Sequence, residues 1–190
     1  MRLSEIRGVA VIGAGAAGRA FALRCAQAGF AVVLEDVMPE KLRRAQDEYA
    51  ELQDSVGAGS LRYALTVEDA VRDADLAIDF VPDELESKLE IFSLLDRMAP
   101  PRTILCTPTW ALSITDLASC TYRAERCVGL RGASVDLLGG VVEVVRSRFV
   151  EASVLDDVGR LFEAIGLSSR VVEDDLESML VKNLEVVEGV

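Results

Sequence analysis

The sequence has no histidine anywhere in its 190 residues. That removes the side chain that most often moves protons at neutral pH, and with it the commonest metal ligand. No metal site is expected. Basic charge is also short: 20 Lys and Arg face 32 Asp and Glu, a net charge of −12. Nucleic acid and anionic membrane surfaces both call for basic patches, so neither is an expected partner. No stretch of 18 unbroken apolar residues occurs, which excludes a membrane-spanning helix. Arg2 and Arg7 precede a run of small apolar residues, as in a secretion signal. That run holds turn glycines where a signal helix needs leucines, and Arg19 follows at once. No C-x-x-C pair links Cys25, Cys106, Cys120 and Cys127, so most read as buried thiols in a reducing, cytoplasmic setting. No repeat and no linker interrupts the chain. It reads as one domain over 1–190, with about 174–190 as a C-terminal helical extension.

What is present is an apolar chain, 51% hydrophobic, with a mean hydropathy of +0.27. Strands covered on both faces have this character. The chain is organised around Gly8-Val9-Ala10-Val11-Ile12-Gly13-Ala14-Gly15-Ala16-Ala17-Gly18. A short apolar run enters G-x-G-x-x-G, an alanine-rich helix follows, and a second apolar run, Ala31 to Leu34, ends in Glu35-Asp36. Gly13 permits a tight turn, Gly15 lets backbone approach a pyrophosphate, and Gly18 lets the helix lie close on the strand. The amides around Ala16 and Ala17 point the helix N-terminus at phosphates. An acid about twenty residues on accepts hydrogen bonds from ribose hydroxyls, and here that acid is Asp36. The expected cofactor is NAD, because carboxylates at Glu35 and Asp36 repel the extra phosphate of NADP.

The remaining chain alternates between the two periods. Helices are expected over 16–28, from Pro39 through Leu52, over 67–72, 85–98 and 113–117, and over about 154–165. Strands are expected over 61–65, 76–81, 103–106, 127–130, 141–145 and 169–172. Residues 55–60 read as a loop. Acids from Glu173 to Glu177 read as the N-terminal turn of a last helix. The alternation predicts an α/β domain of the Rossmann type, doubly wound, with a mainly parallel sheet.

The order of these motifs resembles the NAD-binding domain of the L-3-hydroxyacyl-CoA dehydrogenases over nearly the whole chain. The likeness rests on Val11-Ile12-Gly13-x-Gly15-x-x-Gly18, on Val32-Val33-Leu34-Glu35-Asp36, and on the run from Asp79 to Lys88. It continues through Leu112-Ser113-Ile114-Thr115, Arg126 to Leu130, and Val142 to Val145. The resemblance implies that Asp36 holds the adenine ribose and that Phe80, with Val81, packs along the cofactor. It places Asp83 and Lys88 near the nicotinamide half, with Thr107 at the end of the neighbouring strand. Glu143 matches the acid that orients the family's catalytic histidine.

Several positions depart from the family pattern. The histidine is Arg131, the serine that binds the substrate oxygen is Trp110, and the next asparagine and proline are Ser134 and Val135. The excursion after Asp36 is short, and no stretch matches the family's helical C-terminal domain, Asn183 being a faint echo of its start.

Alcohol oxidation needs a hydride acceptor and a base, and ketone reduction needs a hydride donor and an acid. Arg131 keeps its charge at every working pH, so it polarises a carbonyl, grips a carboxylate, or forms a structural ion pair with Glu143. Tyr122 and Cys127 are the nearest substitute proton carriers in sequence. Trp110 stacks on the nicotinamide, fills the space of a thioester, or covers apolar surface. The expected function is an NAD-dependent oxidoreductase acting on a hydroxy or keto acyl or carboxylic substrate, with Arg131, Glu143 and Trp110 in the altered site. The alternatives are an NAD(H)-binding sensor or subunit without chemistry, and a lyase or isomerase reusing the cleft. Apolar surface near Trp110, Leu137 and Leu138 predicts a homodimer.

Overall fold

Apolar runs too short for helices become strands, and amphipathic stretches between them become the covering helices. A computed structural model of the chain describes residues 6–52, 59–132 and 140–180. The elements are β1 Gly8–Ile12, α1 Ala16–Gln27, β2 Ala31–Glu35, α2 Pro39–Glu51, β3 Ser60–Ala64, α3 Val67–Val71 and β4 Leu76–Asp79. They continue with α4 Leu85–Met98, β5 Ile104–Pro108, α5 Ile114–Ser119, β6 Cys127–Arg131, β7 Val141–Arg146, α6 Ala152–Ala164 and β8 Ser168–Glu173. Local chemistry sets several ends. Pro39 opens α2 at a position where its missing N–H costs nothing, and Pro100 follows the end of α4. The Thr66 and Ser113 hydroxyls accept from the Asp69 and Asp116 amides, capping α3 and α5.

The strands form one sheet in the order β3-β2-β1-β4-β5-β6-β7-β8. All pairings are parallel except β6 with β7, where Arg131 lies opposite Glu143. The order runs outward from β1 to β3, then restarts on the other side of β1 with β4. That reversal opens a crevice at the C-terminal ends of β1 and β4, where ligands bind in such sheets.

One core layer packs α1, α2 and α6 on the sheet through Phe21, Ala22, Leu42, Ala45, Val158 and Phe162. The other packs α3, α4 and α5 through Ala70, Val71, Phe92, Leu95, Ile114 and Leu117. The fold is therefore the expected doubly wound α/β sheet. Among the described residues no helix is long and apolar enough to cross a membrane. The expected loop near 55–60 falls mainly outside the described residues, as do Ser134, Val135, Leu137, Leu138 and Asn183.

The acids after β8 are a correction. They were expected to serve their own helix, yet the caps are exchanged between two helices. Asp174 accepts from the Thr115 amide of α5, at 2.9 Å. In return, Asp116 of α5 accepts from the Met179 and Leu180 amides, at 2.6 and 3.3 Å. Glu173 ends β8 and the next helix begins only at Met179, so the acids precede that helix instead of forming its first turn, and Asp174 and Asp116 each cap the other segment's helix start.

Candidate functional site

The crevice is built from three strand ends. The Gly13 amide donates to the Glu35 carbonyl and the Phe80 amide to the Ile12 carbonyl, both at 2.8 Å, tying the turns after β1, β2 and β4 together. Gly13 takes φ +100°, a conformation that glycine alone adopts without strain. A Cβ at Gly18 would stand 1.9 Å from the Gly13 carbonyl oxygen, so α1 can lie this close to β1 only with glycine there.

Gly15 is different. Its backbone is ordinary, at φ −64° and ψ −179°, and a Cβ there would meet nothing within 4 Å. The protein's own packing does not require glycine at this position. The open space lies in front of the Ala16, Ala17 and Gly18 amides, which begin α1 without intrahelical acceptors. Such a cradle fits a pyrophosphate.

Asp36 closes the crevice. Its Oδ2 accepts from the Ala14 amide at 2.9 Å and from Lys41 Nζ at 3.2 Å, and its Oδ1 accepts from the Met38 amide at 2.9 Å. Burial alone would raise its pKa. The two amides and the lysine outweigh that and hold the carboxyl below the usual range. Oδ1, with a single donor, keeps a further lone pair for a ribose hydroxyl.

Glu35 does not share this task. It pairs in register with Ile12 and Ala64, residues of the layer under α3 and α4, so its side chain lies on the opposite face from Asp36. Burial, and then the Asp36 charge, push its pKa up to about 7. Sequence adjacency suggested two carboxylates acting together, whereas strand alternation separates them.

Phe80 sits against Gly13 and tilts on Phe21 with centroids 5.8 Å apart, and Val81 follows it at the crevice lip. Asp83 organises the facing loop. It accepts from Thr109 Oγ1 at 2.5 Å and from the Trp110 amide at 2.8 Å. Trp110 itself is 63% exposed beside this loop. Lys88 is wholly buried, its ammonium 2.7 Å from Asp79 Oδ1, so it braces the floor beneath the crevice instead of opening onto it. The Thr107 hydroxyl is buried there beside the Asp79 carboxyl, which it helps hold down against burial.

Of the alternatives for Arg131, the ion pair with Glu143 does not form, although the two lie opposite in register. Arg131 instead reaches Asp175 Oδ1 through Nη1 at 2.8 Å and Asp174 Oδ1 through Nη2 at 3.3 Å. Glu143 is bound by Arg170, its neighbour in β8. Each cation takes the nearer acid, and the sequence alone did not place β8 beside β7. Tyr122 is also displaced from the site. It is 99% exposed, with its amide on Asp96 at the far end of α4. Cys127 is buried at the start of β6, and burial first of all pushes its thiol up to about 12.

Sequence reasoning missed Lys41 and Asp174. Lys41 stands five residues after Asp36, in the first turn of a helix starting at Pro39, a spacing that was itself the signal. Asp174 had none, because its partners Ser113 and Arg131 lie 61 and 43 residues away.

A glycine-lined crevice at the reversal of strand order, with an acid ending β2, defines a dinucleotide-binding domain of the doubly wound class. Comparison with known proteins narrows this. The family model for the 3-hydroxyacyl-CoA dehydrogenase NAD-binding domain matches residues 8–175, and the chain belongs to that family. Its cofactor is NAD.

A Bacillus subtilis protein described as "probable 3-hydroxybutyryl-CoA dehydrogenase" is 32% identical over 183 residues, 90% of this chain and 63% of its own. The 5-formyl-3-hydroxy-2-methylpyridine 4-carboxylate 5-dehydrogenase of Mesorhizobium japonicum is 29% identical, over 90% of this chain and 59% of its own. The crystal structure of 3-hydroxybutyryl-CoA dehydrogenase from Escherichia coli K12 superposes with a TM-score of 0.79 at 30% identity. It is matched over 90% of this chain and 39% of that one. The chain thus spans under two thirds of the length of these relatives.

Proposed function

We propose that this chain belongs to an NAD-dependent oxidoreductase acting on a short hydroxy or keto carboxylate, with Arg131 as its anion anchor. The observation that carries the reading is the Arg131 guanidinium. It ends β6 at the crevice side of the sheet and already binds carboxylates there. A guanidinium matches a carboxylate in two-point geometry and cannot act as a proton carrier. The relative from Mesorhizobium japonicum bears a free carboxylate in the name of its substrate, which supports an acid over a thioester.

In this reading Asp36 holds the adenine ribose, the Gly13 to Gly18 turn holds the pyrophosphate, and the Asp83-braced loop sets Trp110 over the open side. Bound NAD supplies the hydride acceptor or donor. Glu143, held by Arg170, leaves Arg131 to the substrate, and the proton at the substrate oxygen exchanges with water. Trp110 takes up room that a long acyl thioester would need. Three buried thiols and one exposed one, all unpaired, fit a reducing, cytoplasmic setting.

The test is loss of NADH absorbance with short keto acids and with acetoacetyl-CoA. Turnover of a keto acid, faster than of the thioester, is expected. Arg131→Gln should raise KM for the acid at least about tenfold. One observation favours a second reading, an NAD(H)-binding protein without hydride chemistry: both terminal nitrogens of Arg131 are held by the chain's own acids. Tight NADH binding with a flat trace for every acid would establish it.

A further inference from the structure

We propose that Asp175 is a built-in competitor for the anion site on Arg131: its carboxylate stands where a substrate carboxylate binds, and an arriving acid displaces it. The inference rests on the reading of Arg131 as substrate anchor and adds a regulatory contact to that site.

The two aspartates on Arg131 differ in kind. Asp174 has a side chain only 4% exposed, and it also accepts from Ser113 Oγ at 2.6 Å and from the Thr115 amide at 2.9 Å. It is part of the frame, and it fixes the plane of the guanidinium. Asp175 has a side chain 79% exposed, held by the 2.8 Å bond to Nη1 and by its own backbone amide, with no tie to another element besides Arg131 among the described residues. The Arg131 guanidinium holds the Asp175 carboxyl below the usual carboxylate range, so it is charged at neutral pH.

An exposed ion pair of this sort contributes little, because water and salt compete for both partners. The Arg131 side chain, in contrast, is 9% exposed, and its Nε has no hydrogen-bond partner among the described residues. It also borders the crevice. Leu130, the residue before it, pairs with Pro108 and accepts from the Thr109 amide at 3.1 Å, next to the Trp110 loop. A cation oriented by one buried acid and covered by one exposed acid is a site with a removable occupant.

The experiment titrates acetoacetate into NAD+-saturated protein by calorimetry, in wild type, Asp175→Asn, Glu173→Gln and Arg131→Gln. Glu173 is the control, an exposed acid two residues away that pairs with Arg146, so its neutralisation changes charge equally without touching Arg131. Asp175→Asn should tighten acetoacetate about two- to fivefold. Glu173→Gln should not, Arg131→Gln should abolish binding, and the uncharged ethyl ester should not respond to Asp175→Asn. The gain should shrink at high salt. Equal affinity in wild type and Asp175→Asn would overturn the inference while leaving Arg131 as anchor, and so would equal tightening in both acid variants. No binding to any variant would overturn the anchor reading as well.

Discussion

Glu35 ends β2 with its carboxyl enclosed on the face it shares with Ile12 and Ala64, and its pKa is raised from 4.5 to about 7. The sign of the consequence follows from proton counting. Between those two values the folded chain keeps a proton that the unfolded chain has released, so stability falls as pH rises across that window. Glu35→Gln should remove this slope and leave the variant more stable than wild type above pH 7, by about 1–2 kcal/mol once solvent screening is allowed for. Urea denaturation at a series of pH values checks it, and parallel curves for the two proteins would refute it. Asp79 and Lys88 form the opposite case, a buried pair in which each needs the other. Burial raises the Asp79 carboxyl against the pull of the lysine. Lys88→Met should cost about 3–5 kcal/mol, and adding Asp79→Leu should recover part of the loss, because an orphaned buried charge costs more than an apolar pair. A double-mutant cycle in denaturant measures both.

At the scale of elements, the glycine turn allows a sharper separation of folding from binding. Gly18→Ala places a methyl 1.9 Å from the Gly13 carbonyl oxygen, so α1 must move off β1. A loss of roughly 3 kcal/mol or more is expected. Gly15→Ala meets no protein atom and keeps an ordinary backbone, so stability should stay within about 0.5 kcal/mol of wild type. In the proposed cradle the same methyl meets the pyrophosphate, so NADH affinity should fall at least about tenfold. Equal melting temperatures with equal NADH titrations would remove the phosphate cradle from the account. This part of the molecule was legible in the sequence because strand, turn, helix and acid lie within 36 residues and each has a local signature. Helix α4 was legible over Leu85–Met98 for the same reason, an apolar period of three and four closed by two prolines. What the sequence hid were pairings across the sheet. Nothing local tells Arg131 to choose Asp174 and Asp175 over Glu143, since the choice depends on β8 lying beside β7. The exchanged caps of Asp116 and Asp174 were hidden in the same way, because each depends on where the other segment lies.

For the whole molecule the question is what covers its apolar surface. Among the described residues, Trp110, Tyr122, Val141, Phe149, Val171 and Met179 are large, exposed, and follow β5. The earlier part contributes Val37, Met38, Leu65 and Met98, the first two directly after Asp36. The sheet also ends on β8, an edge strand whose burial pattern is mostly exposed or intermediate on both faces. An edge strand without a further partner among the described residues, with Val171 exposed on it and Val141 exposed on neighbouring β7, favours self-association through a two-fold contact. Opposing it is like charge, since each copy carries −12. Charge repulsion acts over about 10 Å at 0.1 M salt and fades as salt rises, whereas apolar burial does not weaken. The two contributions therefore make a joint prediction. Light scattering after size exclusion should give a mass near twice 20.5 kDa at moderate salt. The monomer fraction should grow on dilution into low salt, and Val171→Lys on the exposed edge should shift the balance further toward monomer. A monomer at every ionic strength would show that this surface does not drive pairing, and a dimer insensitive to Val171→Lys would place the contact away from β8.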